Sequence, residues 1–237
     1  IESTDLSVVI TGFKEIEDKE FIQTAYTEWG ASGLAAVWAE NNTRESIYNA
    51  FRRKETFATT GSRIKVRFFS GYSFDDSILD SQDLISIAYE KGVTMGSDLL
   101  HQDGKTPNFL IWAIRDAKRA PLDRVQIIKG WVLPSGKPYE QIFDIGCSGN
   151  NKPDPISHRC PETKAKVDLK TCKISKNIGS DEIKAIWSDP EFDPSLKAFY
   201  YVRVLENPTC RWSTWDAIRA GEKPRQDIPV TIQERAW

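Results

Sequence analysis

Three polar residues with ligand-binding chemistry, Glu40, Asn42 and Arg44, follow directly on the apolar run LAAVWA, residues 34–39. A run of this length between glycine and polar residues is typical of a strand buried on both faces, as in a parallel sheet. Folds of the α/β class bind ligands at the carboxyl ends of such strands. There a carboxylate can hold a substrate hydroxyl or orient a metal-ligating histidine, and an arginine can bind an anion through two hydrogen bonds.

The same segment also has the features of a helix start. Asn42 or Thr43 can cap the helix, and Glu45 stands in the capping-box position relative to Asn42. Apolar residues then follow Ile47 at helical spacing. In this interpretation Arg44 pairs with a surface acid. Because capping explains half of the segment, the structural interpretation is favoured over a ligand site.

Two other segments carry candidate anion contacts. Residues 59–63 (TTGSR) offer the Thr60 hydroxyl and the Arg63 guanidinium beside a glycine turn. Residues 207–212 (NPTCRW) place Arg211 next to a cysteine, in a stiff loop. A tight connection is the favoured role of the first segment, and a structural role is favoured for Arg211.

The sequence offers little for catalysis by a metal or a histidine. It has two histidines, His101 and His158, and none of the motifs G-x-S-x-G, H-E-x-x-H, P-loop or G-x-G-x-x-G. Asp98, His101 and Asp103 could ligate a cation, but three such residues within a short polar loop are common by chance. We therefore assign no catalytic residue and no metal ligand.

Four cysteines, Cys147, Cys160, Cys172 and Cys210, lie in the second half of the chain. An even number among polar loops favours two disulfides and an oxidising compartment. The alternatives are free thiols or zinc, since His158 is close to Cys160, but structural zinc sites usually contain a Cys-x-x-Cys knuckle and none occurs. Four cysteines allow three pairings, so the connectivity stays open.

Composition excludes several classes of protein. The 237 residues are 40% hydrophobic and 28% charged, an ordinary globular balance, and 11% aromatic with eight tryptophans, which suits a β-rich core. The net charge of -2 gives no basic surplus for nucleic acid. No apolar stretch reaches the roughly 18 residues of a membrane span, and the first ten residues do not form a signal peptide.

The hydrophobic pattern changes near residue 56. Residues 34–54 predict one strand and one amphipathic helix, as at the end of an α/β domain. From Ile64 apolar and charged residues alternate, which indicates a half-exposed strand, and residues 134–137 predict a hairpin turn. Further strands are predicted at residues 93–99, 108–116, 124–133, 139–146, 197–206 and 230–237, helices at 81–91 and 213–220, and a long loop at 148–180. Six or seven strands separated by turns predict an antiparallel sandwich.

Several long segments resemble a bacterial family known only as domain of unknown function 3604. They are GLAAVWAENNTRESIYNAFRRKETFATTGSRIKVRFFSGYSF, GVTMGSDL, APLDRVQIIKGWV, FDPSLKAFYYVRVLENPTCRWSTWDAIRAG and VTIQERAW. Together they extend over residues 33–237. The departures are small: Asn41 stands where an acid is expected, and Ser62 where a proline is expected.

The resemblance implies a protein similar to the PHP (polymerase and histidinol phosphatase) hydrolases. These are distorted β/α barrels whose two or three divalent metals activate water, typically to hydrolyse phosphate esters. The family's ligand segments, an early Asp-x-His-x-His and a later Ser-Asp-Thr-His, do not occur in this chain and are expected upstream of Gly33. We therefore expect no cofactor in this chain and Mn, Zn or Fe in the complete protein.

The resemblance also implies an α+β architecture in two parts. Residues 1–55 are predicted to be the C-terminal remnant of the barrel, one strand and one helix, and residues 56–237 an antiparallel β-sandwich with a disulfide-stapled loop. The expected partner is the N-terminal barrel part of the same protein. Members of this family usually carry export signals, so we expect a periplasmic or secreted bacterial protein.

Three functions fit these observations. The chain is part of a metal-dependent, phosphoesterase-like hydrolase, or a module that binds carbohydrate or another ligand, or a mainly structural domain that shields the barrel and completes its pocket. Exposure of Trp131, Trp212 and Trp215 separates the last two, because a row of flat, solvent-facing rings favours ligand binding.

Overall fold

The computed structural model describes residues 10–16, 19–24, 30 and 32–237, and this part of the chain is mainly β, with antiparallel pairing. The strands are β1 (Ile10–Ile16), β2 (Lys19–Thr24), β3 (Leu34–Val37), β4 (Thr56–Thr59), β5 (Lys65–Gly71), β6 (Gly92–Thr94), β7 (Asn108–Ile114), β8 (Leu122–Val132), β9 (Pro138–Cys147), β10 (Val167–Asp168), β11 (Lys173–Ile174), β12 (Glu182–Ser188), β13 (Ala198–Glu206), β14 (Thr209–Cys210), β15 (Thr231–Ile232) and β16 (Arg235–Ala236). The helices are α1 (Arg44–Arg52), α2 (Leu84–Lys91) and α3 (Trp212–Arg219), with short 3-10 turns at Asp76–Ile78 and Ser148–Asn150.

Two sheets pack face to face. One has six strands in the order β3-β4-β16-β13-β8-β9, and the other has four in the order β12-β7-β5-β6. Val66 and Phe68 of β5 point into the shared core, where they meet Val125 and Ile127 of β8 and Val204 of β13. The alternation of apolar and charged residues that starts at Ile64 arises because only alternate side chains of β5 reach this core. The prediction of an α+β chain with antiparallel sheets is confirmed; the described residues form no closed barrel.

Helix α2 covers the outer face of the four-stranded sheet. Phe69 and Leu110, which point away from the shared core, pack with Leu84 and Ala88 of the helix. The aliphatic and small side chains of α2 therefore bury the side of the sheet that solvent would otherwise reach. No helix in the described ranges has the length and apolar character needed to cross a bilayer.

Residues 34–37 are placed differently from the sequence prediction. Strand β3 is the edge strand of the six-stranded sheet and pairs antiparallel with β4, and its side chains are exposed or half-buried. The expectation of a strand buried on both faces in a parallel sheet is wrong, because an apolar run without alternation does not distinguish a central strand from an edge strand. The sheet also crosses the predicted boundary at residue 55, since β3 and β4 lie on either side of it.

The four cysteines form two disulfides, Cys147–Cys160 and Cys172–Cys210, with Cα–Cα distances of 5.5 and 5.6 Å. The first joins the end of β9 to the long loop that follows, and the second joins the end of the same excursion to β14. The disulfide prediction is confirmed and the connectivity is fixed. The zinc alternative is wrong, because the thiols are joined to each other, and the His158 ring packs on Phe143 at 5.1 Å.

The register of β8 and β13 defines two ends of the sandwich. Leu122 pairs with Glu206 at one end, and Trp131 pairs with Ala198 at the other. We call these the Glu206 end and the Trp131 end. Leu122 and Trp131 are nine positions apart on β8, so the two ends lie roughly 30 Å apart at about 3.3 Å per residue.

Candidate functional site

The first group of candidate residues lies on the surface at the start of α1. Thr43 is the N-cap, since its hydroxyl accepts a hydrogen bond from the Ser46 N–H at 3.2 Å. Asn42 and Arg44 are exposed, and no ion pair joins Arg44 to another described residue. Capping by Thr43 confirms the predicted helix start, but the expected pairing of Arg44 with a surface acid is not found among the described residues.

Glu40 is tied to helix α1, although 66% of its side chain is exposed. Its carboxylate accepts hydrogen bonds from Ser46 Oγ at 3.0 Å and from Arg53 at 3.1 Å. Its own backbone N–H, the Ser46 hydroxyl and Arg53 hold the pKa of Glu40 below its usual value. Arg53 also binds the buried Glu55 at 2.9 Å, and Glu55 accepts a hydrogen bond from Tyr89 at 2.5 Å. These contacts fasten α1 to the sheets.

The second group converges at the Glu206 end, where three distant chain segments meet. The Thr60 hydroxyl donates a short hydrogen bond to Glu234, and the Arg235 N–H donates to Thr60 Oγ1 at 2.9 Å. Glu206 lies alongside, because its backbone N–H donates to the Glu234 carbonyl at 3.0 Å. The residue pattern of the sequence points to Thr60 but to neither glutamate. We call Thr60, Glu206 and Glu234 the acid cluster.

Glu206 is the most perturbed ionisable group of the acid cluster. Its side chain is 0% exposed, and neither carboxyl oxygen has a hydrogen-bond partner among the described residues. Burial raises the pKa of Glu206 to about 8; Arg119 opposes this rise, whereas Glu234 and Asp116 add to it. Charging a buried carboxyl is unfavourable because water no longer solvates it. Glu206 therefore holds a proton at neutral pH.

The two remaining candidate residues, Arg63 and Arg211, differ in exposure and in their contacts. Arg63 is exposed, and its backbone N–H donates to Asp116 at 2.9 Å. Although burial opposes ionisation of Asp116, this hydrogen bond and one from the Lys118 N–H keep the pKa of Asp116 below its usual value. Arg211 is buried, and its N–H donates to the Val230 carbonyl at 3.1 Å. This backbone hydrogen bond ties the residue after β14 to the residue before β15.

The acid cluster combines the raised-pKa carboxyl of Glu206 with the side chain of Glu234, which accepts a hydrogen bond from Thr60. Pairs of acidic side chains are the groups that general acid–base chemistry uses. Glu206 is closed to solvent, so the cluster can act on a ligand only after a rearrangement of its surroundings. No sequence signal marks Glu206 or Glu234, because acids are common at strand ends and the two residues are far apart in the chain.

The tryptophans named as a test of ligand binding do not form one row. Trp131 lies on β8 at the Trp131 end, stacked on Tyr139 with a centroid distance of 5.6 Å. Trp212 and Trp215 lie on α3, which follows β14 at the opposite end, and they are about one-third exposed. A binding surface built from all three rings is therefore excluded by the register of β8 and β13.

The candidate cation ligands His101 and Asp103 contact each other but do not join a larger group of metal ligands in the described residues. His101 Nε2 lies 3.1 Å from Asp103, and both side chains are exposed. Within the described residues, no group of three or more His, Cys, Asp or Glu side chains is arranged to hold a metal ion.

The fold and the site define a disulfide-linked, mainly β sandwich protein with a buried acid cluster at one end. Comparison with known families places it further: the family described as protein of unknown function (DUF3604) matches residues 7–237, and the chain belongs to that family. No curated protein and no solved structure matches the chain.

Proposed function

We propose that this chain is the β-sandwich part of a metal-dependent hydrolase of the phosphoesterase type. In this proposal a PHP-like barrel elsewhere in the complete protein holds the divalent metal, Mn, Zn or Fe, and the sandwich borders the substrate pocket. Because β3 belongs to the six-stranded sheet of the sandwich, the barrel in this proposal lies upstream of Gly33. The support is the resemblance of residues 33–237 to a family with PHP-like ligand segments, together with one surface of the sandwich.

That surface, an open apolar cleft of about 410 Å³ beside β3, β4 and β16, is the observation that carries the proposal. Leu34 and Trp237 line it and are 43% and 45% exposed, and Ala35, Ala58 and Ile232 complete the apolar lining. In this proposal the cleft is the surface on which the barrel docks, because its exposed apolar side chains lose contact with water there. We call it the edge cleft.

The edge cleft reaches the acid cluster through Thr60, which lines the cleft and also donates to Glu234. A barrel seated on the cleft would bring its substrate pocket close to Thr60 and Arg63. The Thr60 hydroxyl and the Arg63 guanidinium could then contact an anionic substrate group. Helix α1, in the same β3–α1–β4 unit, exposes Tyr48 and Phe51 and would enlarge the contact.

The two disulfides support a location outside the cytoplasm, which is part of this proposal. Structural disulfides persist in oxidising compartments and are rare in the cytosol. We infer a periplasmic or secreted bacterial protein, because the two disulfides would stay intact in such a compartment.

Metal content and phosphatase activity test the proposal. The protein isolated from its source with an antibody against the sandwich is compared with the 237-residue chain expressed alone. We expect the isolated protein to be longer than the chain, to contain bound Mn, Zn or Fe, and to hydrolyse p-nitrophenyl phosphate until a chelator is added. The chain alone is expected to contain no stoichiometric metal and to leave this ester intact. An isolated protein of the same mass as the chain, without metal, would contradict the proposal.

A substitution in the edge cleft tests its role. Leu34→Asp in the complete protein is expected to lower hydrolysis at least about tenfold, because a charge at a buried interface costs more than about 1.4 kcal/mol. Leu100→Asp is the matched control, since Leu100 is 82% exposed and lies outside the edge cleft. Equal activity of the two variants would show that the cleft does not seat the barrel.

A further inference from the structure

A second cavity lies at the Trp131 end, far from the edge cleft and the acid cluster. Its volume is about 190 Å³ and its walls include Trp131, Tyr200 and Leu196. Typical pockets for drug-sized ligands are larger, about 300–1,000 Å³. This cavity therefore suits one small ring.

The cavity exists because a small residue faces a large one across two paired strands. Ala198 of β13 is the direct partner of Trp131 on β8, so the neighbouring position carries only a methyl group beside the indole. The segment with Glu191 and Asp193 closes the other side. A larger residue at position 198 would fill the space.

The indole of Trp131 is held in place before any ligand arrives. It stacks on Tyr139, its partner on β9, with an interplanar angle of 16°. The Lys129 ammonium lies 5.1 Å from the indole centroid, within the range of a cation–π contact. A fixed aromatic wall loses little conformational entropy when a ring packs against it.

The floor of the cavity is a buried, neutralised ion pair. Lys129 Nζ lies 2.6 Å from Asp189 and donates to the Glu191 carbonyl at 2.7 Å, and the Tyr200 hydroxyl donates to Asp189 at 2.7 Å. Both charges are buried and compensate each other. The floor is rigid and offers no free positive charge to an anion.

Two exposed carboxylates supply the polar side of the cavity. Glu191 is oriented by the Gln141 amide at 3.1 Å, and Asp193 by the N–H and the hydroxyl of Ser195 at 2.9 and 2.7 Å. Each carboxylate keeps further acceptor positions, which suit the hydroxyl groups of a ligand. With Lys129 already paired, these carboxylates make the cavity negative, and it disfavours phosphate and other anions.

We propose that this cavity binds one neutral pyranose unit of a glycan. The apolar C–H face of the sugar ring packs on Trp131, and its hydroxyl groups donate to Glu191 and Asp193. This site is independent of the proposed hydrolase role, because it uses neither the metal nor the edge cleft.

Binding is measured with the 237-residue chain by saturation-transfer NMR and isothermal titration. The probes are the methyl pyranosides of glucose, galactose and mannose, N-acetylglucosamine, glucose 6-phosphate and tetramethylammonium. We expect at least one neutral sugar to bind with a dissociation constant on the order of 1 mM, as for a single small ring. Glucose 6-phosphate is expected to bind more weakly than methyl glucoside.

Variants locate the binding. Trp131→Ala and Ala198→Leu are expected to weaken binding at least about tenfold, the first by removing the wall and the second by filling the space. Asp193→Asn, at an exposed position, is expected to weaken binding without affecting folding. Trp215→Ala is the control and should bind as wild type. The proposal fails if no neutral sugar shows saturable binding, or if Trp131→Ala binds the sugar as tightly as Trp215→Ala does. It also fails if tetramethylammonium binds more tightly than every sugar.

Discussion

Replacing Glu206 with glutamine is expected to make the protein more stable than wild type at about pH 8.5, and to change its stability little at about pH 5. Burial raises the pKa of Glu206 to about 8 in the folded protein, whereas the unfolded chain has the ordinary value near 4.5. Between these two values the folded state keeps a proton that the unfolded chain releases. The wild-type free energy of unfolding therefore falls as the pH rises, by up to about 1.4 kcal/mol per pH unit. Glutamine has no proton to lose, so the variant lacks this slope.

Urea unfolding of both proteins at several pH values measures the effect. The difference between variant and wild type should grow from about pH 5 to about pH 8 and then level off, since both states are ionised above the higher pKa. Glu90→Gln on α2 is a matched control at an exposed position and should follow the wild-type curve. A constant difference between Glu206→Gln and wild type across this range would show that Glu206 does not hold its proton.

Removing the Cys172–Cys210 disulfide is expected to lower the free energy of unfolding by about 4 kcal/mol. The two cysteines are 38 residues apart in the sequence, so their bond restricts a long loop in the unfolded chain. The Cys147–Cys160 bond closes a shorter loop of 13 residues and is expected to contribute about 3 kcal/mol. A domain has only about 5–15 kcal/mol in total, so either loss is a large fraction of the stability.

Paired serine substitutions test this expectation, because each removes one disulfide without leaving a free thiol. C172S/C210S and C147S/C160S are compared with wild type by urea unfolding, with and without reductant. Reductant should lower the wild-type midpoint below that of either double variant, and it should lower each variant further. Unchanged unfolding of the wild type in reductant would show that the bonds do not stabilise the fold.

The long central strands could be predicted from the sequence. Predicted strands at residues 108–116, 124–133, 139–146 and 197–206 correspond to β7, β8, β9 and β13. Each carries enough β-branched and aromatic residues to identify it without tertiary information. The turn between β8 and β9 was predicted from its proline and glycine, and the Leu133 N–H indeed donates to the Lys137 carbonyl at 3.0 Å. Local chemistry was sufficient for these elements.

Other elements depend on contacts that are distant in the chain. Strand β12 was missed, since its short alternation at Ile183 and Ala185 has meaning only beside β7, with which it pairs. Strand β4 is not predicted from the sequence, because four residues carry little pattern of their own. The acid cluster was missed for the same reason: Thr60, Glu206 and Glu234 meet only through the pairing of β13 with β16. Tertiary pairing, and not local preference, creates both the sheet edges and the buried carboxyl group.

The roughly 30 Å between the Trp131 end and the Glu206 end has a consequence for long ligands. A glycan with one unit in the cavity proposed at the Trp131 end reaches the Glu206 end only if its free part extends over this distance. Chains that span this distance would gain affinity from a second contact at that end, whereas shorter fragments would be held by the single ring contact alone. Such an arrangement turns a weak single-ring contact into a preference for ligand length.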